Sequence, residues 1–483
     1  RVGLECCTVE AFTQRFYLYL IMTKSAEKLY MSYAVKNSEG AALMPSYIIR
    51  SMRKMFSHCL KLSYKDTAQQ NSYVTIPQAA NSFDNTEIAA NVDEDIIDSL
   101  TGGRLVGSVT SFENFAECPL RYYLRYGVDL KEREEFTFSP VNFGVVLHAV
   151  IREVCDEIKK NGESYYLISD EKRREMVKRS VAAITDIYQN SILKDSSRNS
   201  FMIKRMEDLA DRTVWAMGEQ LKCGDFVPFV FEHKFNMEVG DGDRKQLMSG
   251  TIDRVDICEN GTDVYVRIID YKTGKKDFNI VKTYYGIDIQ LMVYMEAAMK
   301  LVAKMRPGKN VIPAGVFYYN ISDPIVSATT ESAEEIEDKI KGELRLKGMV
   351  NSDKDIAEKM DNTEGTSLNI PVSRKADGGF DSRRSKVMNT EQFNMLGRFV
   401  DVRAVDTADR IAGGDIRRSP YKDGQFSSCD RCPYGAVCGF SVDLPGCNYR
   451  KLKKFDDEVL WNNIEEGVDE NGKKMDTGAE ERD

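Results

Sequence analysis

Residues 226–272 contain three strand-forming stretches in a row, at 226–239, 246–258 and 264–272, separated by Gly-Asp and Asn-Gly turns. A nearly all-apolar helical stretch follows at 287–302, and then a fourth strand candidate at 311–321. A helix apolar on most sides has to be buried, and the strands beside it in the chain are what can bury it. Helical patterns also precede the strands, at 108–126 apart from Pro119, and at 141–160, where apolar residues recur at 147, 151, 154 and 158. From 331 onward the chain reads as mostly helical and charged. The order is mixed α/β, with strands flanked by helices.

At 483 residues the chain has room for two to four domains of about 150 residues. Its 67 basic and 76 acidic residues leave a net charge of −9, and residues 462–483 alone carry 8 acidic against 3 basic. That balance excludes a uniformly basic nucleic-acid coat and leaves room for local patches. No apolar run approaches the roughly 20 residues of a membrane span, and no secretory leader opens the chain. It starts at Arg1 rather than Met, so it reads as the C-terminal fragment of a longer cytoplasmic protein. Residues 12–60 read as helix, turn and helix, with 16–33 dense in aromatic and aliphatic side chains and Pro45-Ser46 starting the second helix. Residues 66–104, rich in Asn, Gln, Asp and Ser, read as a linker or a draped surface loop. The acidic stretch 462–483 reads as a disordered tail.

The stretch at 264–272 alternates, so Val264, Val266, Ile268, Asp270 and Lys272 share one face, and Asp270 and Lys272 emerge together after three buried positions. The preceding strand carries Asp253 in G-T-I-D-R-V-D. Antiparallel neighbours lie about 5 Å apart, so the two aspartates can share a cation. Two hard carboxylates beside an ammonium suit phosphodiester hydrolysis: the carboxylates hold Mg2+, the cation acidifies a water, and the lysine orients it or neutralises developing charge. The bland alternative is a salt bridge at a strand end. His148, one of three histidines, sits on or beside a packed helix face four residues after Gly144, a glycine that lets a strand or metal come close. Gln290 and Tyr294 lie four apart, on one face of the apolar helix, and two polar groups there need partners.

Eleven cysteines in a reducing compartment do not read as disulfides. Cys59, Cys155, Cys223 and Cys258 stand alone among apolar neighbours, as core residues do. Cys429, Cys432 and Cys438 form C-x2-C-x5-C in a short polar segment, which asks for a metal. Three thiolates leave a tetrahedral zinc site or an iron–sulfur cubane one ligand short.

Taken together, G-x3-H at 144–148, G-x-x-D at 250–253, D-Y-K-T-G at 270–274 and Q-x3-Y at 290–294, in this order and at these intervals, resemble the RecB-type nuclease family of the PD-(D/E)XK superfamily. The resemblance implies a restriction-endonuclease-like α/β core, a central mixed sheet flanked by helices, with helical additions, spanning 105–461. It implies Mg2+ (or Mn2+) held by His148, Asp253, Asp270 and the Tyr271 carbonyl, with Lys272 as the catalytic lysine and Gln290 and Tyr294 supporting metal or phosphate. Glu232, on the strand before Asp253, is a weaker candidate and reads as structural. The cysteine pattern, with Cys118 followed by Pro119, resembles the iron–sulfur staple of AddB-type nucleases. That implies a [4Fe–4S] cluster on Cys118, Cys429, Cys432 and Cys438, clamping the two ends of the domain. Zinc is the rival, although zinc ribbons usually show two C-x2-C pairs. Cys447 does not match the family spacing.

Residues 15–33 resemble the sixth helicase motif of AddB-type subunits, and 40–46 the segment after that motif, so 1–65 reads as a remnant of a helicase-like domain. Lys24 stands where active helicases of this lineage carry arginine, and no G-x4-G-K-[ST] occurs for a phosphate loop. The resemblance, which covers about 12–461, implies a metal-dependent single-strand exonuclease that trims the 5′-ended strand at double-strand breaks for recombination. The implied partner is an AddA-type helicase–nuclease subunit. The alternative is a catalytically weak scaffold that threads a strand and docks that partner. Cations interleaved with aromatics at Arg121, Tyr122, Tyr123, Arg125 and Tyr126, and basic clusters at 374–386 and 450–454, suit single-stranded DNA, with a solvated helix face as the plainer reading of each.

Overall fold

The computed structural model describes residues 7–24, 29–31, 33–35, 42–56, 91–93, 95–97, 106–131, 140–187, 197–239, 246–327, 332–442 and 447–469. The chain divides into two compact units, 1–88 and 89–483. In the first, helices span Cys7–Thr23 and Tyr47–Met55. The Ser46 hydroxyl caps the second by accepting the Ile48 N–H at 3.2 Å, which is why Pro45-Ser46 marks its start. The first begins earlier than the sequence suggests and ends inside the aromatic-rich stretch, at Thr23.

The second unit is built on a seven-stranded mixed sheet. Its strands are β1 (Val106–Ser108), β2 (Val227–Val239), β3 (Gln246–Asn260), β4 (Asp263–Lys272), β5 (Asn310–Asn320), β6 (Lys347–Asn351) and β7 (Val387–Met388). The order β1-β3-β4-β5-β6-β7 is joined by β2 on the other edge of β3. β3 pairs antiparallel with β2 and β4, and β4 runs parallel to β5. The apolar stretch forms the helix Gln290–Met305, the crossover that a parallel β4–β5 pair requires.

Alternation along β4 divides the interior into two cores. Val264, Val266 and Ile268 pack with the helices Val109–Glu117, Gln290–Met305, Thr390–Ala412 and Asp457–Asp469. Tyr265, Ile269 and Tyr271 pack on the opposite face with Pro140–Lys160, Asp170–Ile187 and Ser197–Lys222. On β3 the burial parity slips: Ile252 and Val255, three residues apart, lie in the same core, and Asp253 and Arg254 occupy the step. Two lone cysteines, Cys155 and Cys258, are buried as expected; Cys223 is half-buried, and Cys59 lies outside the described residues.

Two expectations need correction. The region after 331 is not simply helical: it contributes β6 and β7, and Gly348 is where β6 comes so close to β5 that a Cβ would lie 1.9 Å from the Val316 carbonyl oxygen. The acidic stretch 462–483 does not begin as a tail, because the helix Asp457–Asp469 buries Leu460 and Ile464, four apart, with Val468 packed behind them. The end of the 66–104 segment, read as a linker or a draped surface loop, is laid on the domain: Asn91 bridges to Asp415, the Val92 N–H donates to Gly414 at 2.9 Å, and Ile97 is buried.

Candidate active site

The two helical layers meet around the end of β4. His148 comes from Pro140–Lys160 on one side, Gln290 and Tyr294 from Gln290–Met305 on the other, and the aspartates from the sheet between them. Asp253 stands beside β4 and accepts the Tyr271 N–H through Oδ2 at 2.6 Å. Its Oδ1 lies 3.4 Å from His148 Nδ1, and Glu232 Oε1 lies 3.6 Å from the same nitrogen. His148, Glu232 and Asp253 offer three ligand atoms within 4.8 Å of one another, the only such group among the described residues.

Glu232, read from the sequence as structural, is thus brought together with His148 and Asp253. It holds a left-handed backbone, φ 48°, inside a strand where its neighbours Phe231 and His233 pair with Arg254 and Ile252. A non-glycine residue there carries about 1–3 kcal/mol of strain, which in folded proteins concentrates where a side chain must be aimed. Sequence patterning has no signal for this; only the local break in the ladder reveals it.

Asp270 and Lys272 form the other half. Lys272 Nζ is 2.6 Å from Asp270 Oδ2 and donates to Gln290 Oε1 at 3.0 Å. Gln290 Nε2 donates to Asp270 Oδ1 at 3.2 Å and to the Tyr294 hydroxyl at 2.9 Å. The glycine of G-x-x-D has a steric reason: a Cβ on Gly250 would lie 2.6 Å from the Phe235 ring and 3.0 Å from Tyr294. Gly144 does not need to be glycine in the same way, since a Cβ there would meet only Thr273 at an ordinary 3.6 Å.

The electrostatics show an acidic surplus. Burial, reinforced by the charge of Asp253, pushes the Asp270 carboxyl up to about 6 despite the opposing Lys272 and Lys276. Burial works against a charged His148, yet its hydrogen bonds and charge interactions with Asp253 and Glu232 prevail and push it up to about 10. A proton on His148 thus takes part of the place that a cation would fill among these carboxylates. Beneath the site, Glu113 on Val109–Glu117 is buried; burial and then Asp288 push it up to about 7 against the pull of Lys276.

The four cysteines of the expected cluster come together. Burial pushes the Cys118 and Cys429 thiols up, and the neighbouring cysteines, Cys438 beside Cys118 and Cys118, Cys432 and Cys438 beside Cys429, lie near enough to add to it. Around them Tyr421–Asp423, Phe426–Ser427 and Arg450–Lys451 form a small three-stranded sheet. Ser428 Oγ donates to the Glu117 carbonyl at 3.3 Å and the Leu120 N–H to the Arg417 carbonyl at 3.2 Å, so the two ends of the domain are bonded here. No three of these sulfurs lie within 4.8 Å of one another. Cys447 is buried beside Cys438.

Several of the expected DNA contacts are already committed. Tyr122 is buried, its ring edge-on to Phe115 at 5.6 Å, so it is not free to stack on a base. Arg121 is paired with Glu117. Arg125 remains exposed at the one π-helical turn among the described residues, Tyr123–Gly127, with its guanidinium 5.4 Å from the Tyr126 ring centroid. Arg374 donates to the carbonyls of Ala357, Asp361 and Thr363, and Arg450 to that of Ala116. Lys375, Arg383 and Arg384 stay exposed, and Lys386 Nζ lies 2.5 Å from Asp277, five residues beyond Lys272.

No helix among the described residues is long and apolar enough to cross a membrane. A family model for the PD-(D/E)XK nuclease superfamily matches residues 107–439. Over 96% of its length the chain is 31% identical to the B subunit of the ATP-dependent helicase/deoxyribonuclease of Clostridium acetobutylicum. It is 31% identical to the same protein of Caldanaerobacter subterraneus over 98% of its length, and 31% identical to that of Clostridium tetani over 93%. It spans about 45% of the first two relatives and 44% of the third. With a mixed sheet that brings Asp253, Asp270 and Lys272 to one strand end between two helical layers, the chain belongs to the PD-(D/E)XK nuclease superfamily.

Proposed function

We propose that this chain is the nuclease part of a helicase–deoxyribonuclease B subunit, hydrolysing single-stranded DNA from the 5′-ended strand with a divalent cation, Mg2+ or Mn2+. The observation that carries the reading is the convergence of His148, Glu232 and Asp253 within 4.8 Å, beside an Asp270 ion-paired to Lys272. One imidazole and two carboxylates are a donor set for Mg2+ or Mn2+, and Asp270 lies close enough to Asp253 to feel its charge. The Tyr271 carbonyl is the further ligand that the resemblance implies. A bound divalent cation supplies Lewis-acid polarisation and charge neutralisation.

Hydrolysis joins the oxygen of water to phosphorus and breaks the bond to a sugar oxygen, which leaves with a proton. Lys272 bears the fixed positive charge nearest Asp270 and offsets negative charge building on the phosphoryl oxygens. Gln290, bonded to Asp270, Lys272 and Tyr294, holds those groups in one arrangement before substrate arrives. Of the expected DNA contacts, Arg125 and the exposed Lys375, Arg383, Arg384, Lys451, Lys453 and Lys454 are side chains free to meet phosphate.

In this reading Cys118, Cys429, Cys432 and Cys438 hold a [4Fe–4S] cluster as a staple. Zinc at about 2.3 Å from each thiolate would set the sulfurs about 3.8 Å apart, closer than any three of them lie. Residues 1–65 would be the remnant of a helicase-like domain, and an AddA-type subunit in the cytoplasm the partner. The kinship to named B subunits supports both proposals.

The test is degradation of a 5′-labelled single-stranded oligonucleotide in Mg2+ by the chain, by Asp270→Ala and by the chain with EDTA. Cutting by the first alone is expected, with a ladder that reports polarity. A protein with its cysteine site loaded that binds the strand and never cuts it would instead be a scaffold. Brown protein from anaerobic purification is expected for the cluster; colourless, zinc-loaded protein would overturn that assignment.

A further inference from the structure

The helix Gln290–Met305 brings two side chains to the site, yet its own N-cap, Ile289, offers no side-chain acceptor. The first N–H groups of a helix lack partners within it and must find them elsewhere. Here the acceptor comes from a distant part of the chain: Glu113 Oε1 accepts the Gln290 N–H at 3.0 Å. Glu113 is buried, and a carboxyl group held in the interior needs a specific partner to offset the loss of water.

The same corner is braced from the other side. Asp288, two residues before Gln290, receives the Tyr318 hydroxyl at 2.6 Å and lies 3.0 Å from Lys276 Nζ, while its carbonyl accepts Thr283 Oγ1 at 2.8 Å. Lys276 is in turn fixed through its main chain, whose N–H and carbonyl each bond the Asn320 side chain at 3.0 Å.

We propose that Glu113 is a positioning residue of the nuclease site, fixing through the Gln290 N–H the start of the helix whose Gln290 side chain holds Asp270 and Lys272. The inference rests on the nuclease reading above. Glu113 meets neither Asp270 nor Lys272 through a hydrogen bond; it acts on them through Gln290, whose amide bonds Asp270 Oδ1 and accepts from Lys272. Its own helix, Val109–Glu117, ends at Cys118, so one element joins the cysteine staple to the helix that braces the catalytic groups.

The experiment compares Glu113→Ala and Glu113→Gln in the full chain, each alone and combined with Gln290→Ala, on a single-stranded oligonucleotide in Mg2+. Amide hydrogen exchange is followed over 290–294 in the same proteins. Glu113→Ala is expected to lower kcat by about 10- to 100-fold, the scale of a displacement near 1 Å, with little change in KM. Glu113→Gln keeps an acceptor oxygen and is expected to restore most of the rate. On the Gln290→Ala background, Glu113→Ala should add almost nothing, because the two residues act in series. Exchange over 290–294 should quicken in Glu113→Ala and not in Glu113→Gln.

An unchanged kcat with slow exchange, an equal loss on both backgrounds, or a Glu113→Gln as impaired as Glu113→Ala would each overturn the proposal. If Glu113→Ala does not fold, Glu113→Asp withdraws the acceptor by one methylene and is judged by the same outcomes. If the unmutated chain does not cut, the nuclease reading fails by itself, and the exchange rates alone decide whether Glu113 fixes the helix.

Discussion

Two acidic positions three residues apart on β3 have opposite fates. Asp256 is fully buried, yet Arg254 Nη2 lies 2.6 Å from its Oδ2 and Arg267 Nε donates to the same oxygen at 2.9 Å. Burial alone would raise this carboxyl, but the charges of Arg254 and Arg267 outweigh it and hold it below the usual range. Asp253 instead faces Glu232 and Asp270, and what answers it is a histidine carrying a proton. Where fixed arginines match the carboxylate, the cluster is scaffold. Where the acidic surplus is met by a proton and by the lysine beside Asp270, the cluster is the one proposed to receive a cation.

The sharpest way to break this contrast is to empty each cluster in turn. Asp256→Ala leaves two buried guanidinium groups unpaired and should cost about 3–5 kcal/mol in denaturant unfolding; a loss under about 1 kcal/mol would mean that the triad is not structural. Asp253→Asn should reduce strand cleavage by about 10²–10³-fold, several kcal/mol of transition-state stabilisation. It should leave the denaturant midpoint near that of the unmutated chain. Cation binding offers a third contrast: saturating Mg2+ at about 100 Kd should stabilise the chain by about 2.7 kcal/mol, seen as a higher Tm. Asp253→Asn should show no such rise.

The smallest effect tests whether acidic surplus alone is enough. Asp401 is pushed up to about 8 by burial and then by its neighbour Glu296, against Lys300, and no third ligand joins the pair among the described residues. Its raised value means that the folded state prefers the protonated form. That contribution to stability is complete below about pH 4 and is lost as the pH rises through about 8. Asp401→Asn should therefore match the unmutated chain at pH 4 and exceed it by about 1–3 kcal/mol above pH 8 in thermal melts. Mn2+ calorimetry should find no site lost in that variant, whereas a lost site would blur the contrast between Asp253 and Asp256.

Much of the site was legible in the chain. The alternation of 264–272 placed Asp270 and Lys272 after three buried residues, and the i, i+4 spacing placed Gln290 beside Tyr294. These readings succeed because period and spacing are local. Glu232 was undervalued because its part in the site depends on a positive φ that breaks the strand pattern. Glu113 escaped notice because its partner lies 177 residues away. Tyr122 misled for the opposite reason: an aromatic among arginines looks exposed in sequence, while its ring is packed on Phe115.

The sequence by itself determined the strands β2 to β5, the crossover helix, the order of the motifs and the cysteine spacing, since each is set by residues within a turn or a strand of one another. Only the tertiary structure decided which acids are matched and which are in surplus. It also decided that Glu232 joins His148 and Asp253, and that Glu113 caps a helix 177 residues further along the chain. Burial and charge pairing depend on which distant segments share a face, and no local pattern encodes that.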